Sequence, residues 1–305
     1  FRIGTRASPL ALVQARSVAH DLRARWPNLV FDLIPIVTEG DERRSKLAED
    51  SPDFKRAFTR RLEEALLAGR IDAAVHSLKD MPATFPDGLI LGAVPPREVP
   101  FDALVSRDGR RFAELPERAC VGTSSLRRIA QLRAVRPGVS TAPLDGNVDT
   151  RLRKLDAGDY DAVVLAGAGL RRLGLEARIT ELFPAEVMIP AVGQGALAVE
   201  VRADDAFARE VVAAANDAAA RAEVEAELAL ARALGVGCNL PAGALARVDG
   251  PALRLNALIA TPDGRRVIRA SAAGRAADAG AVGRAAAAEL LQKGAEDILR
   301  GAVAG

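Results

Sequence analysis

The feature that most constrains the fold of this chain is an internal repeat. Residues 2–8 (RIGTRAS) lead into a segment with helical spacing of apolar residues, and residues 120–126 (CVGTSSL) lead into another. Each stretch predicts a strand, a Gly-Thr turn and a helix whose start carries a hydroxyl cap. A second similar pair, residues 67–75 and 156–164, follows in the same order, with a helix that ends at a glycine before a buried strand. The repeat predicts two α/β lobes built alike.

Two lobes whose strands end at one cleft form a hinged binding architecture. The chain is expected to leave the first lobe near residues 95–100 and to return to it through the glycine-rich residues 189–195. We therefore expect a first lobe of residues 1–96 plus 196–215 and a second lobe of residues 97–195.

The remaining residues, 216–305, have a different character. An alanine-rich helix over residues 222–234 precedes an alternating strand at 253–259, a turn at 261–264, another strand, and a final helix over about residues 276–300. This order predicts a small antiparallel α+β domain. The expected fold class is thus α/β, with two lobes and a small C-terminal α+β domain.

The composition argues against several classes of function. Lys and Arg total 42 against 40 acidic residues, and only 4% of residues are aromatic, so we expect no nucleic-acid partner. Two cysteines and two histidines are too few for a disulfide framework or a histidine-rich metal site. No apolar run approaches the roughly 20 residues of a membrane span. Because the first residues do not form an export signal, we expect a cytoplasmic protein.

Hydroxyl side chains and arginines gather at the starts of the two repeated helices. Backbone N–H groups at a helix start bind carboxylates, and arginine forks bind them in a bidentate manner. The alternative is a solvent-exposed basic helix face. The residues concerned are Thr123, Ser124, Ser125, Arg127 and Arg128 in the second lobe and Arg6 and Ser8 in the first, with Arg151 and Arg172 near second-lobe loops.

An acidic residue follows a buried strand of the first lobe. Asp80 lies five residues beyond the apolar stretch at residues 73–75, and Lys79 next to it would favour its ionised form. A carboxylate at that end of a strand points into the cleft, where it can stabilise a cation or bind N–H groups. The alternative is a solvent-facing turn before Pro82.

The two cysteines differ in their surroundings. Cys238 has glycines on both sides in residues 235–243, which allows close approach of a ligand and exposes the thiol. An ordinary loop cysteine is the alternative for this position. Cys120 interrupts an apolar strand, and we expect it to have a packing role.

These segments together resemble the porphobilinogen deaminase family. The matching stretches occur in the family's order and span nearly the whole chain. They are residues 2–11, 76–80, 121–128, 146–147, 150–152, 168–174, 190–196 and 237–238.

The resemblance implies the fold and the activity. The first two domains would be like the lobes of periplasmic binding proteins. The protein would be a transferase, a hydroxymethylbilane synthase, that condenses four porphobilinogen molecules head to tail with loss of ammonia and releases hydroxymethylbilane by hydrolysis. Its primer would be a dipyrromethane cofactor joined through a thioether to Cys238. A monomer without a metal or a membrane partner is the implied state.

The resemblance also implies roles for individual residues. Asp80, assisted by Lys79, would bind pyrrole N–H groups and stabilise the cationic azafulvene left when the substrate loses ammonia. Besides Cys238, the cofactor would contact Ser77, Lys79, Asp80, Thr123, Ser124, Ser125, Arg127, Arg128 and Arg151. The substrate would contact Arg6, Ser8, Lys55, Arg97, Arg151, Arg172 and Gln194.

Three places depart from the family pattern. Asp145 stands where the family usually has an arginine, residues 48–58 replace a glycine-rich mobile loop, and Val99 and Phe101 replace an acidic residue and an arginine. We expect altered kinetics rather than a lost reaction, because Asp80 and Cys238 are retained. These departures keep one alternative open, a non-catalytic two-lobe binding protein for a polycarboxylate or pyrrole ligand.

Overall fold

A computed structural model describes residues 1–38, 56–235 and 241–303 of the chain. Three sheets organise these residues, two of five strands and one of three. The first two sheets have the same arrangement, as the internal repeat predicts. In each, a run of three parallel strands is followed by an antiparallel strand and an edge strand.

The first lobe is built on the sheet β2-β1-β3-β10-β4. Its apolar core lies between this sheet and the helices, with Ile3, Val75 and Val199 fully or almost fully buried. The elements are β1 (Arg2–Arg6), α1 (Pro9–Arg25), β2 (Asp32–Ile36), α2 (Arg56–Leu67), β3 (Ala73–Ser77), a 3₁₀ turn (Leu78–Asp80), β4 (Leu89–Ala93), β10 (Leu197–Arg202) and α6 (Ala206–Ala213).

The second lobe is built on the sheet β7-β6-β8-β5-β9. Its core packs on both faces of that sheet, around Leu104 and Val164 on one face and Val105 and Leu165 on the other. The elements are β5 (Asp102–Ser106), β6 (Cys120–Gly122), α3 (Leu126–Val135), β7 (Ser140–Ala142), α4 (Val148–Asp156), β8 (Ala162–Ala166), α5 (Gly167–Arg172) and β9 (Glu181–Leu182).

The expected hydroxyl caps form in one lobe only. In the first lobe Ser8 caps α1, because its hydroxyl accepts from the backbone N–H of Ala11 at 3.4 Å. In the second lobe Ser125 occupies the cap position of α3 but makes no such bond. The hydroxyl of Thr123 instead accepts from the backbone N–H of Ser125 at 3.3 Å. The prediction of a side-chain cap on α3 is therefore wrong.

The C-terminal part of the chain forms an antiparallel sheet, β11-β12-β13, covered by helices. The single final helix predicted over residues 276–300 is wrong. The chain turns at Gly294, whose φ of 87° interrupts the helix. The elements are α7 (Ala218–Leu234), β11 (Ala242–Asp249), β12 (Ala252–Ala260), β13 (Val267–Arg275), α8 (Ala279–Gln292) and α9 (Ala295–Val303).

Two crossovers connect the lobes and lie side by side. The backbone N–H of Glu98, between β4 and β5, donates to the carbonyl of Gly195 at 3.2 Å. Gly195 has a φ of +85°, and a Cβ there would lie 2.4 Å from the Glu98 carbonyl oxygen, so only glycine fits. The three sheets fall within the three predicted domain ranges, and the exact domain limits stay a prediction.

Candidate active site

A cleft between the two lobes brings together most of the predicted first-lobe residues. It is lined by the ends of β1 and β3 and by the starts of α1 and α4. The lining includes Arg6, Ser8, Ser77, Lys79 and Asp80 from the first lobe and Gly146, Asn147, Asp149 and Arg151 from the second.

Two helix N-termini face this cleft from opposite lobes. Helix α1 begins at Pro9 after its Ser8 cap, and α4 begins at Val148 after Asn147. The N–H groups at a helix start carry partial positive charge, so each end attracts an anion. Arg6 lies beside the first of these ends, with its guanidinium 4.4 Å from the centre of the Phe58 ring on α2. The cleft is therefore suited to a ligand with more than one carboxylate.

The turn that carries Lys79 and Asp80 is firmly anchored. Leu78 is buried, its backbone N–H donates to the Ala196 carbonyl at 3.1 Å, and its side chain fills the space in which a Cβ on Gly193 would lie. Ahead of the turn, the hydroxyl of Ser77 accepts from the amide of Gln14 on α1 at 2.8 Å. These contacts hold the end of β3 at the cleft.

The electrostatic surroundings of Lys79 link the two lobes. Burial lowers the pKa of the Lys79 ammonium to about 8, although the neighbouring charge of Asp80 opposes this shift. The charges of Arg128 and Arg151 lower the pKa further, and that of Asp102 raises it. Lys79 thus lies close enough to second-lobe groups to interact with them across the cleft.

Arg127 and Arg128 are held by a carboxylate that the sequence analysis did not include among the site residues. Nη1 of Arg127 lies 2.7 Å from Oδ2 of Asp102, and Nε of Arg128 lies 2.9 Å from Oδ1. All three side chains are buried. Burial alone would raise the pKa of Asp102, but the two guanidiniums hold it well below its ordinary value. Their direct contact with the cofactor stays a prediction.

The hydroxyl cluster predicted ahead of α3 lies beside the cleft rather than in its lining. Thr123 is buried, and the hydroxyl of Ser124 donates to Oδ1 of Asp145 at 3.0 Å and accepts from the backbone N–H of Leu144 at 2.9 Å. Asp145 is therefore engaged by Ser124. The cofactor contacts of Thr123, Ser124 and Ser125 also stay predictions.

Three residues predicted to contact the substrate lie on or against the crossovers, and for Gln194 and Arg172 the substrate contact stays a prediction. The guanidinium of Arg97 is buried between Glu223 and Glu227 of α7, so its prediction as a substrate ligand is corrected to a place in the hinge. Gln194 is buried and donates to the Pro100 carbonyl at 2.6 Å. Arg172 donates to the Gly195 carbonyl at 2.8 Å, and burial lowers its pKa to about 10.

Two of the predicted site residues fall in parts of the chain that the structure does not describe. Lys55 and Cys238 lie outside the described residues, as does most of the stretch 48–58, of which residues 56–58 begin α2. The strand that follows Cys238 in sequence is tied to the return crossover, because the backbone N–H of Ala244 donates to the Pro190 carbonyl at 3.0 Å. Cys120 is half-buried in β6, and burial raises the pKa of its thiol.

The described ranges contain no cluster of three or more side chains able to hold a metal ion. Within the same ranges, no helix has the length and apolar character needed to cross a membrane.

Comparisons with known proteins identify similar sequences over nearly the whole chain. Residues 1–210 match the family description "Porphobilinogen deaminase, dipyromethane cofactor binding domain", and residues 221–292 match "Porphobilinogen deaminase, C-terminal domain". The porphobilinogen deaminase of Desulforudis audaxviator (strain MP104C) is 49% identical over 97% of this chain and 96% of its own length. That of Roseiflexus castenholzii (strain DSM 13941 / HLO8) is 48% identical over 98% of both.

Among solved structures, the VFT2 domain of BvgS from Bordetella pertussis aligns with 70% of this chain and 84% of its own, at 16% identity and a TM-score of 0.40. That score is low, and the two-lobe architecture rests on the sheets described above.

Proposed function

Because the chain belongs to the porphobilinogen deaminase family, we propose that its inter-lobe cleft condenses four porphobilinogen molecules head to tail and releases hydroxymethylbilane by hydrolysis. The observation that carries this proposal is that Asp80, Lys79 and two helix N-termini lie in one cleft. The chain that forms this cleft matches the family over nearly its whole length.

The charge of the cleft suits this substrate. Porphobilinogen carries two carboxylates, and each condensation adds two more to the growing product. The guanidiniums of Arg6 and Arg151 and the N-termini of α1 and α4 offer anion-binding groups on both sides of the cleft. Ser8 adds a hydroxyl at the first of these ends. We assign these groups to the acetate and propionate side chains.

Asp80 is the proposed catalytic carboxylate. The aminomethyl nitrogen of the substrate is protonated at neutral pH. When its bond to the methylene carbon breaks, the nitrogen leaves as ammonia with the bonding electrons, and the positive charge passes to the pyrrole. A carboxylate fixed on an anchored turn stabilises that charge without reorganisation. Asp80 then takes up the proton from the ring carbon that forms the new bond, and ammonia carries this proton away as ammonium. Lys79 precedes it on the same turn and adds a cation for the carboxylates of the ligand.

The family's cofactor is dipyrromethane, which supplies a permanent covalent primer for chain extension. In the cleft lining the cationic side chains Arg6, Lys79 and Arg151 outnumber the aspartates Asp80 and Asp149, and this donor set fits a ligand bearing several carboxylates. We propose that Cys238 holds the cofactor through a thioether. Ser77, Lys79, Asp80, Thr123, Ser124, Ser125, Arg127, Arg128 and Arg151 would hold its polar groups.

Room for the lengthening product is proposed to come from hinge motion of the lobes. The two crossovers lie side by side and are joined by one backbone hydrogen bond, so bending there leaves both lobe cores intact. Arg172 and Gln194 lie at this hinge. We propose that they reach the substrate only when the lobes move, and that Lys55 also contacts the substrate.

The remaining assignments are also proposals. The domain limits 1–96 plus 196–215, 97–195 and 216–305 are supported by the three separate sheets. We also propose a cytoplasmic monomer that needs no metal, the state that the resemblance to the family implies.

The proposal is tested by incubating the purified protein with porphobilinogen. We expect four molecules of ammonia for each hydroxymethylbilane formed, together with loss of the pyrrole colour given by an acidic aldehyde reagent. Binding of porphobilinogen without release of ammonia would favour the non-catalytic binding protein. Asp80→Asn serves as the negative control, because it removes the proposed carboxylate at nearly constant volume.

A further inference from the structure

A buried acid and an imidazole lie directly behind the catalytic turn. His76 on β3 and Glu200 on β10 approach each other, with Nε2 of His76 3.2 Å from Oε2 of Glu200. Their side chains are 4% and 0% exposed. The function proposed above assigns no role to either residue.

Neither group finds another partner. Among the described residues, Nε2 of His76 and both carboxylate oxygens of Glu200 have no hydrogen-bond partner. An isolated buried carboxylate is strongly destabilising, by several kcal/mol even after relaxation, unless it is paired or protonated. Nε2 of His76 lies within hydrogen-bonding distance of Oε2 of Glu200, and a small rotation of the ring gives the pair the hydrogen bond that both atoms otherwise lack.

The sheet is locally irregular at this position. The pairing of β10 with β4 shifts register between Val199 and Glu200, so that Gly92 is the extra residue. Bulges of this kind re-aim side chains and are common next to active sites. A Cβ on Gly92 would lie 2.8 Å from a methyl carbon of Val212, so the bulge requires glycine. The irregularity accompanies Glu200, a fully buried charged residue in the middle of the strand.

A second carboxyl group from α2 completes the cluster. Glu63 is buried, which raises the pKa of its carboxyl, and the charge of Glu200 raises it further, whereas His76 and Arg56 act in the opposite direction. Burial therefore favours the neutral form of Glu63.

The pair acts on the position of the cleft residues through the backbone. His76 directly precedes Ser77, and the register of β3 with β10 sets His76 opposite Ala198 and Ser77 opposite Leu197. His76 also contributes to the cleft wall. A displacement of its ring would therefore move the end of β3 and the turn that carries Asp80.

We propose that His76 is a positioning residue for the catalytic turn Leu78–Asp80, and that Glu200 holds its imidazole in place through a hydrogen bond. The proposal rests on the function proposed above, since the turn's importance derives from Asp80. A misplacement of about 1 Å at a reacting group lowers rates by up to about 100-fold, so the expected effect is on kcat rather than on KM.

The test compares Glu200→Leu with Glu200→Gln. Leucine removes the hydrogen bond, and we expect kcat per cofactor-loaded protein to fall about 10- to 100-fold with KM within about twofold. Glutamine keeps a hydrogen-bonding side chain of the same shape, and we expect kcat within about threefold of the parent protein. A folded Glu200→Leu protein with kcat within twofold of the parent, or an equal loss in both variants, overturns the proposal.

A spectroscopic measurement tests the pair independently of activity. The chain has two histidines, and His20 is exposed on α1, so His20→Gln leaves His76 as the only imidazole. In ¹⁵N-histidine-labelled His20→Gln protein we expect a solvent-protected Nε2–H signal that is lost when Glu200→Leu is added. A rapidly exchanging imidazole in the parent overturns the proposed pair. Parent protein that shows the protected signal but does not turn over porphobilinogen contradicts the proposed function and leaves the pair intact.

Discussion

Nη1 of Arg97 lies 2.7 Å from Oε1 of Glu227, and both side chains are almost completely buried. The two residues join a crossover between the lobes to helix α7 next to the third sheet. Glu227 also accepts the backbone N–H groups of Gly193, on the other crossover, and of Ala246, on β11. One carboxylate thus ties both crossovers to the C-terminal sheet.

Replacing Glu227 with glutamine should destabilise the protein strongly. Removing one partner of a buried ion pair lowers the free energy of unfolding by about 3–5 kcal/mol when the remaining charge has no other partner. Glu223 still faces Arg97 in this variant, so the loss should lie at the lower end, at about 3 kcal/mol. Denaturant unfolding measures the loss. The exposed pair of Arg300 and Glu296 is the matched control, since Glu296→Gln should change stability by at most about 1 kcal/mol. Equal effects in the two variants would contradict the role of Glu227.

Asp80→Asn should lower turnover at least about 100-fold and leave the fold intact, because the positive charge that develops on the substrate loses its carboxylate. Steady-state release of ammonia and circular dichroism measure the two effects. Asp87→Asn, in an exposed loop of the same lobe, is the control and should retain activity. Near-normal turnover in Asp80→Asn would show that another group performs the step.

The activity should fall as pH rises through about 8. The pKa of Lys79 is about 8 in the folded protein, below its usual value of about 10.4, so the ammonium loses its charge within this range. Loss of the cation weakens binding of anionic ligands, so kcat/KM should fall as the pH rises through this range. Lys79→Arg keeps its charge and should move the alkaline fall to higher pH, whereas Lys293→Arg in the C-terminal domain should not. An unchanged alkaline limb in Lys79→Arg would exclude Lys79 as its cause.

Asp145→Arg should tighten substrate binding. The carboxylate of Asp145 now accepts from Ser124, and a guanidinium at this site would add a charge-assisted contact, lowering KM by about tenfold. Asp145→Asn removes only the negative charge and should have a smaller effect. No change in KM for the arginine variant would place this position outside the substrate path.

The parts of the fold that sequence could predict are those with local signals. The Gly-Thr turns, the Ser8 cap and the spacing of apolar residues predicted two similar lobes, because each signal acts within a few residues. The break of the C-terminal helix at Gly294 also has a local signal, because glycine readily adopts the positive φ at which helices end.

The partners of the charged residues could not be predicted in the same way. Arg127 meets Asp102 from 25 residues away, and Arg97 meets Glu227 from 130 residues away. Nothing local to an arginine tells whether it will bind a ligand or a distant carboxylate of its own chain. His76 and Glu200 are similarly brought together only by the pairing of β3 with β10.

The central claim is that Cys238 carries a covalent primer, and the mass of the intact protein tests it most directly. Protein made in a host that synthesises porphobilinogen should exceed its sequence mass by two pyrrole units. The excess should disappear in Cys238→Ala and persist in Cys120→Ala, which removes the other cysteine. An unmodified mass in the parent protein, or an adduct that survives in Cys238→Ala, would contradict the account.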